Sequence, residues 1–236
     1  MIALVSSTVA PSQLPGHDGP RTNIAPEVRL EHTRGTIDSL LAAGITQIFI
    51  TDNSPGDWLR QRVEKLRPAR VLHFDQLPVR NKGLGEMWLL LAALEHLPAD
   101  EPILKISGRY RIGPGSPLLA APGQDVVARV YGERQKEIST RAYVVRNREV
   151  ATRLWPRMLD EIYAAQSRIV GPRSLLRLLR SSLQPGRDNF PYSDPPLSVE
   201  IAGWRAIRHL GLSLRVVDHL AVEGTLGSWI NPEVKE

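Results

Sequence analysis

Along the first half of the chain, short apolar runs that end in small polar residues alternate with longer stretches whose apolar positions recur every three or four residues. "IALVSSTV", 2–9, predicts a strand, and residues 9–26, with four prolines and two glycines, predict a loop long enough to be functional. From Glu27 to Ala43, Val28, Leu30, Ile37, Leu40 and Leu41 keep helical spacing among charges, and Gly44 supplies a C-cap. "ITQIFITDNS", 45–54, reads as a buried strand ending in Asp52, Asn53 and Ser54. Helix 57–66, strand 70–75, helix 82–97 and strand 102–107 continue the alternation. This predicts an α/β fold with a mostly parallel central sheet flanked by helices on both faces.

After Gly123 the pattern loosens. Strands are expected at 125–131 and 139–146, followed by a helix from about 147 to 165. Residues 171–186 predict a short helix whose Arg173, Arg177 and Arg180 share one face while leucines take the other. Four prolines make 185–197 a loop, Ser198 caps a helix, and "LSLRVVDHL", 212–220, reads as a last strand. There is no repeat and no linker, so one domain is expected.

Composition narrows the class only a little. An apolar content of 42% supports a substantial core. The absence of cysteine excludes disulfides and thiolate metal sites and fits a reducing compartment. No basic region precedes the apolar start, and no run approaches the ~20 apolar residues of a membrane span, so a soluble cytoplasmic protein is expected. A net charge of +5 favours phosphate-bearing partners. Aromatics are only 6% and are not interleaved with basic residues, so nucleic acid is not an expected partner.

In an open parallel sheet, ligands bind at the carboxyl ends of the strands. That rule gathers Ser6, Ser7 and Thr8, then Asp52 and Asn53, then Asn81, Lys82 and Glu86, then Lys105, Ser107, Gly108, Arg109 and Tyr110 at one edge. The amides and dipole at the start of helix 82–97 suit a phosphate, with Lys82 adding charge. Plainer readings stand beside these. Asp52-Asn53-Ser54 also serves as a turn, Lys82 and Glu86 as an exposed helix pair, and Lys105, Arg109 and Arg111 as solvated strand charges. Tyr110 also fits packing, His219 a structural role, and Glu200 a simple helix-dipole partner. P-loop, dinucleotide and serine-hydrolase signatures are absent, as are D-x-D and any histidine pair at metal-ligand spacing.

The order "TIDSL", "FITDNS", "NKGLGE" and "KISGRY" resembles a group of small bacterial GT-A-type glycosyltransferases with NK-x-x-GE and K-I-S-GRY blocks. The likeness covers about residues 1–150 well and the rest loosely. It implies one GT-A-like domain over 1–236, with a Rossmann-like sheet, a nucleotide-sugar-binding part at 1–122 and an acceptor-side part at 123–236. It implies that the first strand and Asp52 face base and ribose, while Asn81–Glu86 and Lys105–Tyr110 line the sugar-phosphate region. Gly83 stands where serine is more usual. Most GT-A enzymes hold a divalent metal through D-x-D, and Ser107-Gly108-Arg109-Tyr110 occupies that place here. Arg109 or Lys105 is therefore expected to neutralise the departing diphosphate, with no cofactor required. His219 stands where some relatives carry a metal ligand, which keeps a divalent ion among the readings.

The expected reaction moves a sugar from a nucleotide diphosphate donor to a hydroxyl on a saccharide or lipid-linked acceptor, in bacterial surface polysaccharide or glycolipid synthesis. Glu200 is the first choice of base for an inverting route and Asp194 the second. Arg173, Arg177 and Arg180 with the leucines of 173–183 predict a peripheral contact with an anionic membrane, placing the protein at its inner face. A non-catalytic basic binding module for nucleotide or nucleic acid, and a nucleotidyltransferase on a similar sheet, are the competing readings.

Overall fold

The computed structural model describes residues 1–11, 24–76, 82–120, 122–133, 135–167, 171–172, 175–176, 179, 197–225 and 233–235. Strands β1 (Ile2–Ser7), β2 (Ile48–Asp52), β3 (Arg70–His73) and β4 (Ile103–Ser107) are all parallel, in the order β3-β2-β1-β4. Beyond β4 the sheet turns antiparallel through β8 (Ala142–Val145) to β6 (Val126–Tyr131) and β7 (Glu137–Ile138). Strand β9 (Leu214–Val217) joins β6 in parallel. The predicted α/β class and mostly parallel centre are therefore observed, with antiparallel strands confined to the far side of β4.

The period of two along β1 splits the core into two layers. Ala3 and Val5 pack with Leu30, Ile37 and Leu40 of α1 (Pro26–Ala42). Ile2 and Leu4 join a cluster that holds Leu84, Met87 and Leu90 of α3 (Lys82–Ala93), Leu154 and Met158 of α4 (Arg148–Ser167), and Ala202 and Ala206 of α5 (Val199–His209). Helix α1 ends at Gly44, whose φ of +82° is the left-handed geometry its sequence predicts. The side chain of Ser198 accepts the Ile201 amide at 3.3 Å and starts α5, as predicted.

Three predicted elements come out differently. Helix 57–66 divides into α2 (Gly56–Arg60) and a 3-10 turn at Val63–Leu66, with the break at Arg62 (φ −125°), whose guanidinium lies 4.3 Å from the Trp58 ring. Helix 82–97 is α-helical only to Ala93 and then tightens into a 3-10 turn over Leu94–His96. The strand at 212–220 is not the last. Strands β10 (Val222–Thr225) and β11 (Glu233–Lys235) follow and form a second, antiparallel sheet with β5 (Tyr110–Ile112). Glycine is needed at Gly224 because a Cβ there would lie 2.2 Å from the Arg109 carbonyl oxygen. Residues 180–196, which carry most of the predicted Pro-rich loop, lie outside the described residues, and so does most of helix 171–186.

Candidate active site

Chain order runs from β1 outward to β2 and β3 and then returns to β4 on the opposite side of β1. The crevice between the carboxyl ends of β1 and β4 is thus the point where the strand order reverses, the usual ligand position in such sheets. Register places Ser6 beside both Thr51 and Ser107, and Ser7 beside Asp52.

Asp52 is fully buried, and its two oxygens are committed to backbone. Oδ2 accepts the Val9 amide at 2.9 Å and Oδ1 the Ser54 amide at 2.7 Å. Burial pushes its carboxyl above the ordinary range, against the opposing pull of the hydrogen bonds from Ser54 and Val9. Thr8 donates its hydroxyl to Asn53 Oδ1 at 2.7 Å, and the Ser54 hydroxyl accepts the Ala10 amide at 2.8 Å. Asp52, Asn53 and Thr8 thereby bind the segments leaving β1 and β2 to each other.

Toward β4 lies a buried charged centre. Lys105 is 1% exposed, and its ammonium sits 2.6 Å from Glu86 Oε1, which also accepts the Ser6 hydroxyl at 2.5 Å. The same ammonium donates to the Thr140 carbonyl oxygen and lies 5.7 Å from the Tyr143 ring. Burial would raise the Glu86 carboxyl, but the charge and hydrogen bond of Lys105, the Ser6 hydroxyl and the more distant Arg109 hold it below its usual range. Burial, and then the Glu86 carboxylate, push the Tyr143 phenol far up. Lys105 is thus an interior cation already matched by a carboxylate.

Thr140 carries this chain to α5, because its hydroxyl donates to Glu200 Oε1 at 2.8 Å. Tyr131 stands in the same neighbourhood. Its hydroxyl is pushed up to about 12 by burial and then by Glu200 and Glu137. Sequence reasoning found Glu200 but missed Thr140, Tyr131 and Glu137, because nothing in their spacing brings the β6–β7 hairpin to the start of α5.

Between β4 and β5 the chain makes the turn Ser107–Arg109. The Arg109 amide bonds the Ser107 carbonyl oxygen at 2.7 Å, and the Gly108 amide bonds the Ser6 carbonyl oxygen at 2.9 Å. Glycine keeps this turn close, because a Cβ at Gly108 would meet Thr33 Oγ1 at 3.1 Å and Ser7 Oγ at 3.2 Å. Tyr110 is 2% exposed and packs in the α1 layer, as the plainer reading had it. The guanidinium carbons of Arg109 and Arg141 each lie 5.9 Å from its ring. Arg109 is half-buried, and no described carboxylate comes within ion-pair distance of it.

Ser6, Glu86, Lys105, Thr140 and Glu200 therefore form one connected chain, with Ser7, Ser107, Gly108 and Arg109 along its rim. Asn81 and Asp194 lie outside the described residues, and Lys82 is described in its backbone alone, at the head of α3. His219 is exposed. The metal implied by the GT-A likeness does not fit this donor set. Ser107-Gly108-Arg109-Tyr110 offers a cation where carboxylates would ligate, and no group of three His, Cys, Asp or Glu among the described residues is placed to hold an ion. Among the described residues no helix is long and apolar enough to cross a membrane.

No protein-family model matches the chain, and no curated protein matches it. Solved structures of similar shape include the inositol-1-phosphate CTP transferase from T. maritima, with 13% identity over 91% of this chain and 83% of that one, at a TM-score of 0.49. The galactosyltransferase LgtC, solved with donor and acceptor sugar analogs, is 10% identical over 94% of this chain and 86% of its own, at a TM-score of 0.48. The CTP:phosphocholine cytidylyltransferase LicC from Streptococcus pneumoniae is 12% identical over 96% and 93%, at 0.44. These neighbours are transferases of both sugar and nucleotidyl kinds, and at such scores they carry no argument about this chain's reaction.

Proposed function

We propose that this protein is a glycosyltransferase that moves a sugar from a nucleoside diphosphate donor to a hydroxyl acceptor in bacterial surface polysaccharide or glycolipid synthesis. One observation carries the reading. Where the strand order reverses, Arg109 stands half-exposed without a described carboxylate partner, and a hydrogen-bonded chain leads from the same crevice to the carboxylate of Glu200. In this mechanism the bond between the anomeric carbon and the diphosphate oxygen breaks while Arg109 faces the negative charge that develops there. The acceptor oxygen bonds the anomeric carbon, and its proton passes to Glu200, giving the inverting course. Asp194 is the alternative base. Lys105 acts from within by fixing Glu86 and the Thr140 carbonyl, and Ser6, Ser7, Asp52 and Asn53 shape the nucleoside side.

A thermal-shift panel of nucleoside diphosphate sugars tests the reading, since a true donor at about 100 times its Kd stabilises the fold by about 2.7 kcal/mol. One donor is expected to raise the melting temperature and then to be consumed with an acceptor. If no nucleotide sugar does so, or if a nucleoside triphosphate and a sugar phosphate are consumed with release of diphosphate, the reading fails.

The acceptor is proposed to be lipid-linked, reached from the cytoplasmic face of an anionic membrane. In the 173–183 segment Leu175, Leu176 and Leu179 are 45%, 64% and 52% exposed, which speaks against burial of that leucine face. Arg173, Arg177 and Arg180 supply the complementary charge. Flotation with anionic vesicles at low salt, lost when the three arginines become glutamine, is the expected result. Equal solubility of both proteins rejects this contact.

A further inference from the structure

Glu161 is a buried carboxylate on α4 that takes no part in the crevice. Its Oε1 meets two groups at once. Arg157 Nη2, one turn earlier on α4, lies at 2.7 Å, and Nδ1 of His209, the last residue of α5, lies at 2.6 Å. Arg157 Nη2 also stands 3.1 Å from His209 Nδ1. An ionised carboxylate only accepts hydrogen bonds, so at this distance His209 Nδ1 carries the proton and donates it to Glu161. Arg157 Nη2 then donates to the carboxylate rather than to the ring.

This arrangement fixes the neutral imidazole in one tautomer, with its lone pair on Nε2. The His209 side chain is 55% exposed against 8% for Glu161, and Nε2 makes no hydrogen bond to a described residue. A buried carboxylate that orients an imidazole and leaves the opposite nitrogen open makes histidine a nucleophile, because the carboxylate stabilises the imidazolium that results. The surroundings select the electrophile. Arg205 lies one turn before His209 on the same face of α5, exposed and in no ion pair with a described residue. Arg157 keeps Nε without a described hydrogen-bond partner. Guanidinium groups beside a nucleophile suit the oxygens of a phosphoryl group, and they offset the repulsion of an anion by the end of the helix. A metal ion matches less well, because no group of three His, Cys, Asp or Glu among the described residues is placed to hold one.

We propose that His209 is a phosphoryl-acceptor site, phosphorylated on Nε2 by a small acyl phosphate. The Nε2 lone pair attacks phosphorus, and the N–P bond forms as the P–O bond to the acyl group breaks. The electrons of that bond leave with the carboxylate product. The Nδ1 proton stays on the ring, held by Glu161, so no further base is required. The site lies on α4 and α5 and does not rest on the glycosyltransferase reading.

Incubation of the full chain with acetyl phosphate tests this, read by intact-mass spectrometry at neutral pH. Wild type is expected to gain the mass of one phosphoryl group, lost on brief acid treatment and stable to base, as an N–P bond is. Peptide mapping should place the label on His209 rather than on His219, which is exposed after β9 without a described carboxylate partner. Phosphorus NMR should assign it to Nε2. His209→Gln should abolish the gain, and Glu161→Gln should slow it about tenfold, the scale of one hydrogen bond that loses its charge. Melting temperatures verify that both variants fold, and should Glu161→Gln not fold, His209→Gln and the nitrogen assignment still decide. No gain in wild type, a gain that survives His209→Gln, a label on Nδ1, or an unchanged rate in folded Glu161→Gln overturns the proposal.

Discussion

Glu86 and Lys105 share an ion pair of 2.6 Å that joins α3 to β4 beneath the crevice, with the lysine 1% exposed and the glutamate side chain 24% exposed. Each charge makes the other tolerable inside the protein. Lys105→Met leaves Glu86 without its cation and should cost about 3 kcal/mol, the low end for a broken buried pair because Glu86 keeps some solvent. Adding Glu86→Gln should recover most of that loss. Chemical denaturation of the two single variants and the double variant measures the coupling, and additive losses would show that the pair is not a unit.

The same pair sets an acid limit. Because the Glu86 carboxyl is held below its reference value of 4.5 in the folded chain, its stabilising contribution is present above that pH and is lost as pH falls through the folded value. The difference in unfolding free energy between wild type and Glu86→Gln should therefore shrink below about pH 4.5. A difference that stays constant down to acid unfolding would contradict the pairing.

Arg109→Ala should lower kcat by about 10²- to 10³-fold, the range for removing one preorganised group that meets developing charge. Its melting temperature should stay near that of wild type, because the side chain is half-exposed and makes no ion pair with a described residue. Steady-state kinetics on the donor found in the panel checks this, and full activity would remove Arg109 from the site.

Turnover should persist in excess chelator. The turn at 107–110 presents the Arg109 guanidinium and no carboxylate, and the proposed function assigns charge neutralisation to side chains. Strict dependence on added manganese or magnesium would show that a divalent ion is held by residues outside this turn.

The central fold was legible because β1 and β2 are buried apolar runs with polar residues only at their carboxyl ends, and β4 departs from that pattern only at Lys105, so the runs report strand direction and site edge together. Strands β10 and β11 escaped for a physical reason. They are three or four residues long, and "VEGT" and "EVK" lack an apolar period, so they exist through pairing rather than propensity. Lys105 was legible as unusual, but its burial against Glu86 was not, because the partner lies on another element. The Glu200 connection depends on Thr140, which no local pattern marks.

The pairing of Tyr110 with Gly224 ties the turn that bears Arg109 to a strand more than a hundred residues later. On a ribosome adding about 5–20 residues per second, β1 to β4 emerge and can pair many seconds before β10 exists. During that interval the nascent chain has its parallel sheet but no strand behind the Arg109 turn. Under the proposed function, catalytic competence is then a late event in the life of each molecule, and a chain cut before residue 222 would lose that support.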